Sequence, residues 1–170
     1  ALLNNCSIKV NGQANYYLNL NNANATAINN IFTGHTNTNT NFGGVIAEAG
    51  TLLGGSIFSN GRVLDIRGGT VSSALTLGSG RLLMSAGELR NVNFKNTSNI
   101  SGGSIFSSSF EWSINQNQNV VALSGSATFT DCVFASTHTG AGDNVAALAI
   151  TAGGIAVSYT HLRAHETKAN

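Results

Sequence analysis

A six-residue pattern of apolar and polar positions recurs along the chain. It runs apolar residue, any residue, Asn/Asp/Gly, small residue, any residue, large apolar residue. One series of copies ends at residues 8, 32, 58, 82, 106 and 134, with steps of 24, 26, 24, 24 and 28. A second series lies half a period out of phase, and Leu89–Phe94 is its best copy. The pattern predicts one structural unit per about 25 residues, with at least two similar corners in each unit.

The third position of the pattern indicates a bend. Side chains of a strand alternate between its two faces, so the first and sixth positions share a face only if the chain turns between them. Asn, Asp or Gly stands there in six of seven copies, and these residues adopt a left-handed backbone at least cost. We therefore expect pairs of short strands that meet at left-handed corners, which stack from unit to unit. The predicted corners are Asn5, Asn29, Gly55, Asn91, Gly103 and Asp131.

Stacked units of this kind predict an all-β fold, a single parallel β-helix of about six coils and about 25 residues per coil. The chain has no Pro, as expected where every strand N–H bonds to a neighbouring coil. The alternative is a β-sandwich, whose strands need no fixed step. We expect the large apolar residues that close four copies to lie in the core, with Phe32 next to Phe58; they are Phe32, Phe58, Phe106 and Phe134.

Several strings of the repeat resemble a known group of proteins. LNNCSI, LRNVNF, FTDCVF, GGTVSS and GGSIFS, which occurs twice, are similar to right-handed, pectin-lyase-like β-helices. Such helices occur in autotransporter passenger domains, polymorphic outer-membrane adhesins and phage tail spikes. The resemblance spans residues 1 to about 157 and implies the fold. It does not select a function, because enzymes, adhesins and virion fibres share this architecture.

Composition narrows the class of protein. Charged residues make up 9% of the chain, against about 25% in a typical soluble domain. Asn, Ser, Thr and Gly provide the polar surface instead, which is typical of a secreted, cell-surface or virion protein. The chain has 8 basic and 7 acidic residues, and the basic residues are not clustered, so we expect no nucleic-acid binding. No apolar run approaches the roughly 18 residues of a membrane-spanning helix, so we expect no membrane insertion.

The last residues depart from the repeat. The segment 157–170 reads VSYTHLRAHETKAN, and YTHLRAHET resembles a translated sequencing adapter, as at the broken end of a metagenomic reading frame. We expect this tail to be an unstructured artefact. The β-helix segment is then 1–156, a fragment open at both ends that associates end to end through unpaired strand edges.

The two cysteines are predicted to be unpaired packing residues. Cys6 and Cys132 both occupy the fourth position of the pattern and lie five predicted coils apart, or about 24 Å. A disulfide needs Cα atoms within about 7 Å. Two cysteines and few histidines give no support for zinc, and the sequence predicts no cofactor.

Charged and aromatic residues give the remaining candidate surface. Asp65 and Glu88 are close in the chain to four arginines, which indicates a solvated charge stripe or, as the alternative, a sugar-binding or catalytic face; the arginines are Arg62, Arg67, Arg81 and Arg90. Phe110 and Trp112, two residues apart, share a strand face and are the candidate glycan contacts.

These observations favour a non-catalytic structural or adhesive rod segment of a secreted, cell-surface or virion protein. Its expected partners are a surface glycan or a host-cell receptor, and copies would form a homotrimer or a longer rod. The alternative is a truncated part of a carbohydrate-active β-helix enzyme, a polysaccharide lyase or hydrolase, which would need two or three carboxylates on one face. No catalytic residue is assigned.

Overall fold

The computed structural model describes residues 1–12, 16–35, 44–58, 62–77, 80–112, 119–136, 146–150 and 155–157. These residues form strands and no helix, so the all-β prediction is confirmed. The strands are β1 (Leu2–Asn4), β2 (Ser7–Gly12), β3 (Leu18–Leu20), β4 (Thr26–Ile28), β5 (Ile31–His35), β6 (Val45–Ala47), β7 (Thr51–Ile57), β8 (Arg62–Leu77), β9 (Arg81–Arg90), β10 (Asn93–Phe94), β11 (Ser98–Phe106), β12 (Ser109–Trp112), β13 (Val121–Thr130), β14 (Val133–Ser136), β15 (Leu148–Ile150) and β16 (Ile155–Val157).

Every strand pair within the described ranges is parallel. The larger sheet has 13 strands, and its main path follows chain order as β1-β4-β7-β8-β9-β11-β13-β15, while β10-β12-β14 form a second sheet. Each strand therefore pairs with one that follows it after a crossover. This large parallel sheet is compatible with a solenoid.

The pairing defines three ladders, each with a row of inward-facing residues that are mostly apolar and buried. Ladder I takes its row through Leu3, Ala27, Leu52, Val71, Leu89, Ile105 and Phe129. Ladder II runs through Leu18, Val45, Leu64, Leu82, Ser98, Val121 and Leu148. Ladder III comprises Ile8, Phe32 and Ile57, then Phe94, Phe110 and Phe134. The three rows supply most of one hydrophobic cluster.

Left-handed residues form the corner between ladders I and III. The φ angles of Asn5, Asn29, Asn91 and Asp131 lie between 50° and 54°, which confirms the bend predicted at the third position. The corner amides keep their bonds to the neighbouring strand, as when Asn29 N donates to the Leu53 carbonyl at 2.9 Å. The chain therefore turns at Asn5, Asn29 and Asn91 while the backbone N–H of each keeps its hydrogen bond.

Both predicted corner glycines lie in other places. Gly55 and Gly103 have positive φ, 93° and 97°, as predicted. However, the register sets Gly54, with φ 59°, opposite Asn29. Gly103 precedes Ser104, which pairs with Glu88, so it belongs to the corner between ladders II and I. Ser107, with φ 46°, is the residue equivalent to Asn91.

A glycine column builds the corner between ladders II and I. Its members are Gly50, Gly69, Gly87 and Gly103, and neighbouring members touch. A Cβ added to Gly87, whose φ is 87°, would lie 2.3 Å from the Gly69 carbonyl oxygen. Only glycine allows both this backbone conformation and this approach between strands.

The uniform spacing of about 25 residues is wrong. Along ladder I, successive partners are 24, 25, 19, 18, 16 and 24 residues apart. The connection from ladder III to ladder II accounts for much of this variation. It has three residues between β10 and β11, eight between β12 and β13, and eleven between β14 and β15. The two corners between the other ladders stay nearly constant in length.

Two of the four predicted core phenylalanines lie outside the core. Phe32 and Phe134 are buried, but Phe58 is 46% exposed and Phe106 is half-buried. Ile57, rather than Phe58, pairs with Phe32 and takes the inward position. Phe106 pairs with Arg90 and Thr130 on the outer side of ladder I. A shift of one residue moves a side chain to the opposite face of a strand.

Candidate functional site

A groove runs along the outer face of ladder II. Its volume is about 230 Å³, and we call it the ladder II groove. Ser85, Ser101 and Ser124 follow the paired residues Met84, Ile100 and Leu123 on three neighbouring strands, and all three are exposed. Asp65, Leu83 and Asn99 form the neighbouring row. The full lining is Asp65, Leu83, Met84, Ser85, Asn99, Ile100, Ser101 and Ser124.

An ion-pair cluster marks one end of this groove. Arg67 Nε and Nη2 both donate to Asp65 Oδ2, at 3.0 and 2.7 Å, while Arg67 Nη1 donates to Glu48 Oε1 at 3.2 Å. The hydrogen bond to Asp65 is the main cause that raises the pKa of Arg67, and burial opposes it. Asp65 is only 5% exposed although it points away from the core. Arg67 therefore holds the Asp65 carboxylate in a fixed orientation.

A second ion pair lies on the outer face of ladder I. Arg90 donates to both carboxylate oxygens of Glu88, and its guanidinium carbon lies 3.9 Å from the centre of the Phe106 ring. The hydrogen bond from Arg90 lowers the pKa of Glu88 and that same bond raises the pKa of Arg90. Asp65 and Glu88 therefore lie on different ladders, and the predicted single charge stripe is two separate clusters.

Phe110 is a core residue, which corrects its assignment as a glycan contact. It is 0% exposed and stacks between Phe94 and Phe134, with ring centres 5.5 and 5.4 Å apart. The sequence carried the signal for this: Ile105–Phe110 fits the six-residue spacing, with Ser107 at the corner, but the overlapping copy Ser101–Phe106 obscured it. Trp112 closes β12, and its side chain lies outside the described residues.

The cysteines are free thiols, as predicted. Cys132 is buried, and its Sγ donates to the Thr130 carbonyl at 3.4 Å. Burial raises the pKa of this thiol. Cys6 is half-buried and donates to the Asn4 carbonyl at 3.3 Å. Within the described ranges, no three His, Cys, Asp or Glu side chains come together in a group that could hold a metal ion.

A second depression, of about 300 Å³, follows the corner between ladders I and III. Its polar lining includes Asn91, Asn93, Ser107, Ser109 and Asp131. Most of these are exposed residues of the left-handed turns, and their position follows from the stacking of the corners. Of the two depressions, only the ladder II groove is lined by a buried charged residue, Asp65.

Comparison with known proteins finds no family model, curated protein or solved structure that matches the chain. Within the described ranges, no helix is long and apolar enough to span a membrane.

Proposed function

We propose that the chain is a segment of a right-handed, pectin-lyase-like parallel β-helix that serves as the shaft or adhesive surface of a secreted, cell-surface or virion protein. The observation that carries this proposal is the continuous buried row of ladder I. From Ala27 to Phe129 every member of the row is at most 2% exposed and pairs with the next in parallel. Such a row is expected in a stiff rod whose neighbouring units stabilise one another.

The outer surface supports a structural or adhesive role. It has few charged residues. Each described ion pair joins two residues of the same ladder or of the corner next to that ladder. Exposed ion pairs such as Arg67–Glu48 contribute about 0–1 kcal/mol each, so the packed core rather than surface charge would hold the rod together. A surface glycan or a host-cell receptor is the proposed partner, and a homotrimer or longer rod is the proposed assembly.

A carbohydrate-active enzyme is the second candidate. One observation favours it: Glu48 and Asp65 both contact the guanidinium of Arg67 at the end of a groove. Paired carboxylates are the groups that glycoside hydrolysis requires. An arginine that neutralises both of them is more typical of an ion-pair network than of an acid and a base that exchange protons.

Two measurements on the full chain test the proposal. Small-angle scattering is expected to give the elongated profile of a rod, and labelled protein is expected to bind cell surfaces or immobilised glycans without changing them. A compact, globular scattering profile would contradict the β-helical shaft. New reducing ends or unsaturated products from a polysaccharide, lost in Asp65→Asn, would establish the enzyme instead.

A further inference from the structure

Ladder III differs from the other two ladders because it is divided into two blocks. Its first block runs through β2, β5, β7 and the end of β8, and its second block is the separate sheet β10-β12-β14. Among the described strands, β8 pairs with β6, β7 and β9 but not with β10. Ladders I and II continue across the same level through the pairing of β8 with β9. We call this break the ladder III seam.

An extra residue in one corner accounts for the seam. In six coils the chain advances by four positions from the paired outer residue of ladder I to the inward position of ladder III, at 4–8, 28–32, 53–57, 90–94, 106–110 and 130–134. In β8 the same corner, from Ser72 to Leu77, takes five positions. A slip of one residue reverses the two faces of a strand. Because Ser72 pairs with Arg90, the end of β8 is out of register with β10.

The backbone of Asn93 shows the consequence. Ile31, Ser56, Ser109 and Val133 occupy the same position in other coils, and the N–H of each donates to a carbonyl of the preceding coil at 2.8–3.0 Å. The Asn93 N–H makes no such bond within the described structure, since β10 pairs only with β12. Asn93 is exposed, so water can solvate this group. One rung of the backbone ladder is therefore missing at the seam.

Apolar packing continues across the seam. Ile57 before it and Phe94 after it are both buried and belong to one hydrophobic cluster. The aromatic stack of Phe94, Phe110 and Phe134 lies wholly on one side of the seam. Hydrophobic contact is non-directional, whereas a hydrogen bond weakens steeply when it is bent. The two blocks of ladder III can therefore tilt against each other more easily than two strands that are paired.

We propose that the ladder III seam is a hinge at which the shaft bends. Ladders I and II stay paired and form the axis of the hinge, while the two blocks of ladder III separate and close again. The shaft then bends toward the side of ladders I and II. This inference rests on the proposed β-helical shaft and adds a mechanical property to it that is independent of any ligand.

Two pairs of spin labels that join the same two coils test the hinge. One pair, Ile31→Cys with Ser109→Cys, spans the seam on ladder III. The control pair, Thr26→Cys with Ser104→Cys, spans the same coils on ladder I. Each pair crosses four strand spacings, or about 19 Å. The labels are placed in the full chain with both native cysteines replaced by Ser, and pulsed electron paramagnetic resonance measures the two distance distributions.

Deletion of Ala74 is the decisive variant, because it shortens the β8 corner from five positions to four and restores the common register. In the parent chain we expect a wider distance distribution on ladder III than on ladder I, and in the deletion variant we expect equal widths. The Asn93 amide of the variant is expected to exchange with solvent about tenfold more slowly, as for the gain of one good hydrogen bond. Equal widths in the parent chain, or no narrowing on deletion of Ala74, would overturn the hinge.

A reciprocal variant keeps the test available if the deletion variant does not fold. One Ala inserted after Ser107 lengthens the corner before β12 from four positions to five. We expect it to remove the bond from Ser109 N–H to the Val92 carbonyl and to speed exchange of that amide about tenfold. An unchanged exchange rate would overturn the register as the cause of the seam. A globular scattering profile would refute the shaft itself, whereas equal label widths in a rod-shaped chain would refute the hinge alone.

Discussion

Replacement of Phe110 by Ala tests whether its ring lies inside the core. The ring is fully buried, and its centre lies 5.4, 5.5 and 6.5 Å from those of Phe134, Phe94 and Phe129. Removal of a buried Phe side chain costs about 3–5 kcal/mol. Aromatic pairs add about 0.5–1.5 kcal/mol each beyond the buried area, so we expect a loss near the top of that range, about 5 kcal/mol.

Phe106→Ala is the matched control, since it is the same substitution on the outer face of ladder I. Phe106 is half-buried beneath Arg90, and an exposed cation–π contact contributes about 0.5–1 kcal/mol. We expect a loss of about 1–2 kcal/mol, in line with an ordinary single substitution. Urea unfolding followed by circular dichroism measures both free energies of unfolding. A smaller loss for Phe110→Ala than for Phe106→Ala would refute the inward assignment of Phe110. Phe110→Leu, expected to lose less, keeps the comparison available if the alanine variant does not fold.

Four further predictions use the same unfolding measurement. Gly87→Ala is expected to cost about 3 kcal/mol or more, because it combines a positive φ with a Cβ 2.3 Å from the Gly69 carbonyl oxygen; a cost below about 1 kcal/mol would contradict this close approach. Asn91→Val is expected to cost about 1–2 kcal/mol and Asn91→Gly much less, since φ is 54°; equal costs would refute backbone strain as the cause. Ser98→Ala is expected to stabilise the fold by about 1 kcal/mol, because the buried Ser98 Oγ has no hydrogen-bond partner in the described structure; destabilisation would reveal one. Glu88 has a lowered pKa, so its ion pair stabilises the fold above the unfolded pKa of about 4.3 and this contribution is lost as pH falls through the folded pKa. The effect is at most about 1 kcal/mol, because the Glu88 side chain is 35% exposed, and Glu88→Gln should abolish it; an unchanged pH dependence in that variant would assign it to another group.

The left-handed corners could be predicted from the sequence because they depend on local chemistry. Asn5, Asn29, Asn91 and Asp131 each stand between two apolar residues that must reach the same core, and Asn and Asp tolerate the required φ. The glycine column was harder to predict, since its members touch residues about 16–19 positions away. Gly69 and Gly103 stand in Gly-Gly pairs but Gly50 and Gly87 do not, so no common motif in the sequence marks the column.

The register could not be predicted, because a fixed period was assumed. The connection from ladder III to ladder II changes from three to eleven residues, and each change moves every later position. Phe58 and Phe106 were assigned to the inward face because six-residue copies end at them, but their neighbours Ile57 and Ile105 occupy it. Both residues of each neighbouring pair are large and apolar, so side-chain type alone did not show which of them faces inward.

The candidate groove could not be predicted for a related reason. Asp65, Leu83 and Asn99 are 16–18 residues apart in the chain and become neighbours only through the observed pairing. In the sequence, each belongs to an ordinary strand. The ion pair of Asp65 and Arg67 was visible as a two-residue spacing on one face, but nothing in the sequence showed that the carboxylate would be buried.

Two further glycines explain how the ladder II groove keeps its shape. A Cβ on Gly102 would lie 2.3 Å from the Ser85 carbonyl oxygen, and a Cβ on Gly125 would lie 2.0 Å from that of Ser101. Ser85 and Ser101 are therefore held at their spacing by strands that only glycine allows to approach so closely. The variable connection lies at the other edge of ladder II, so its length can change while these positions stay fixed.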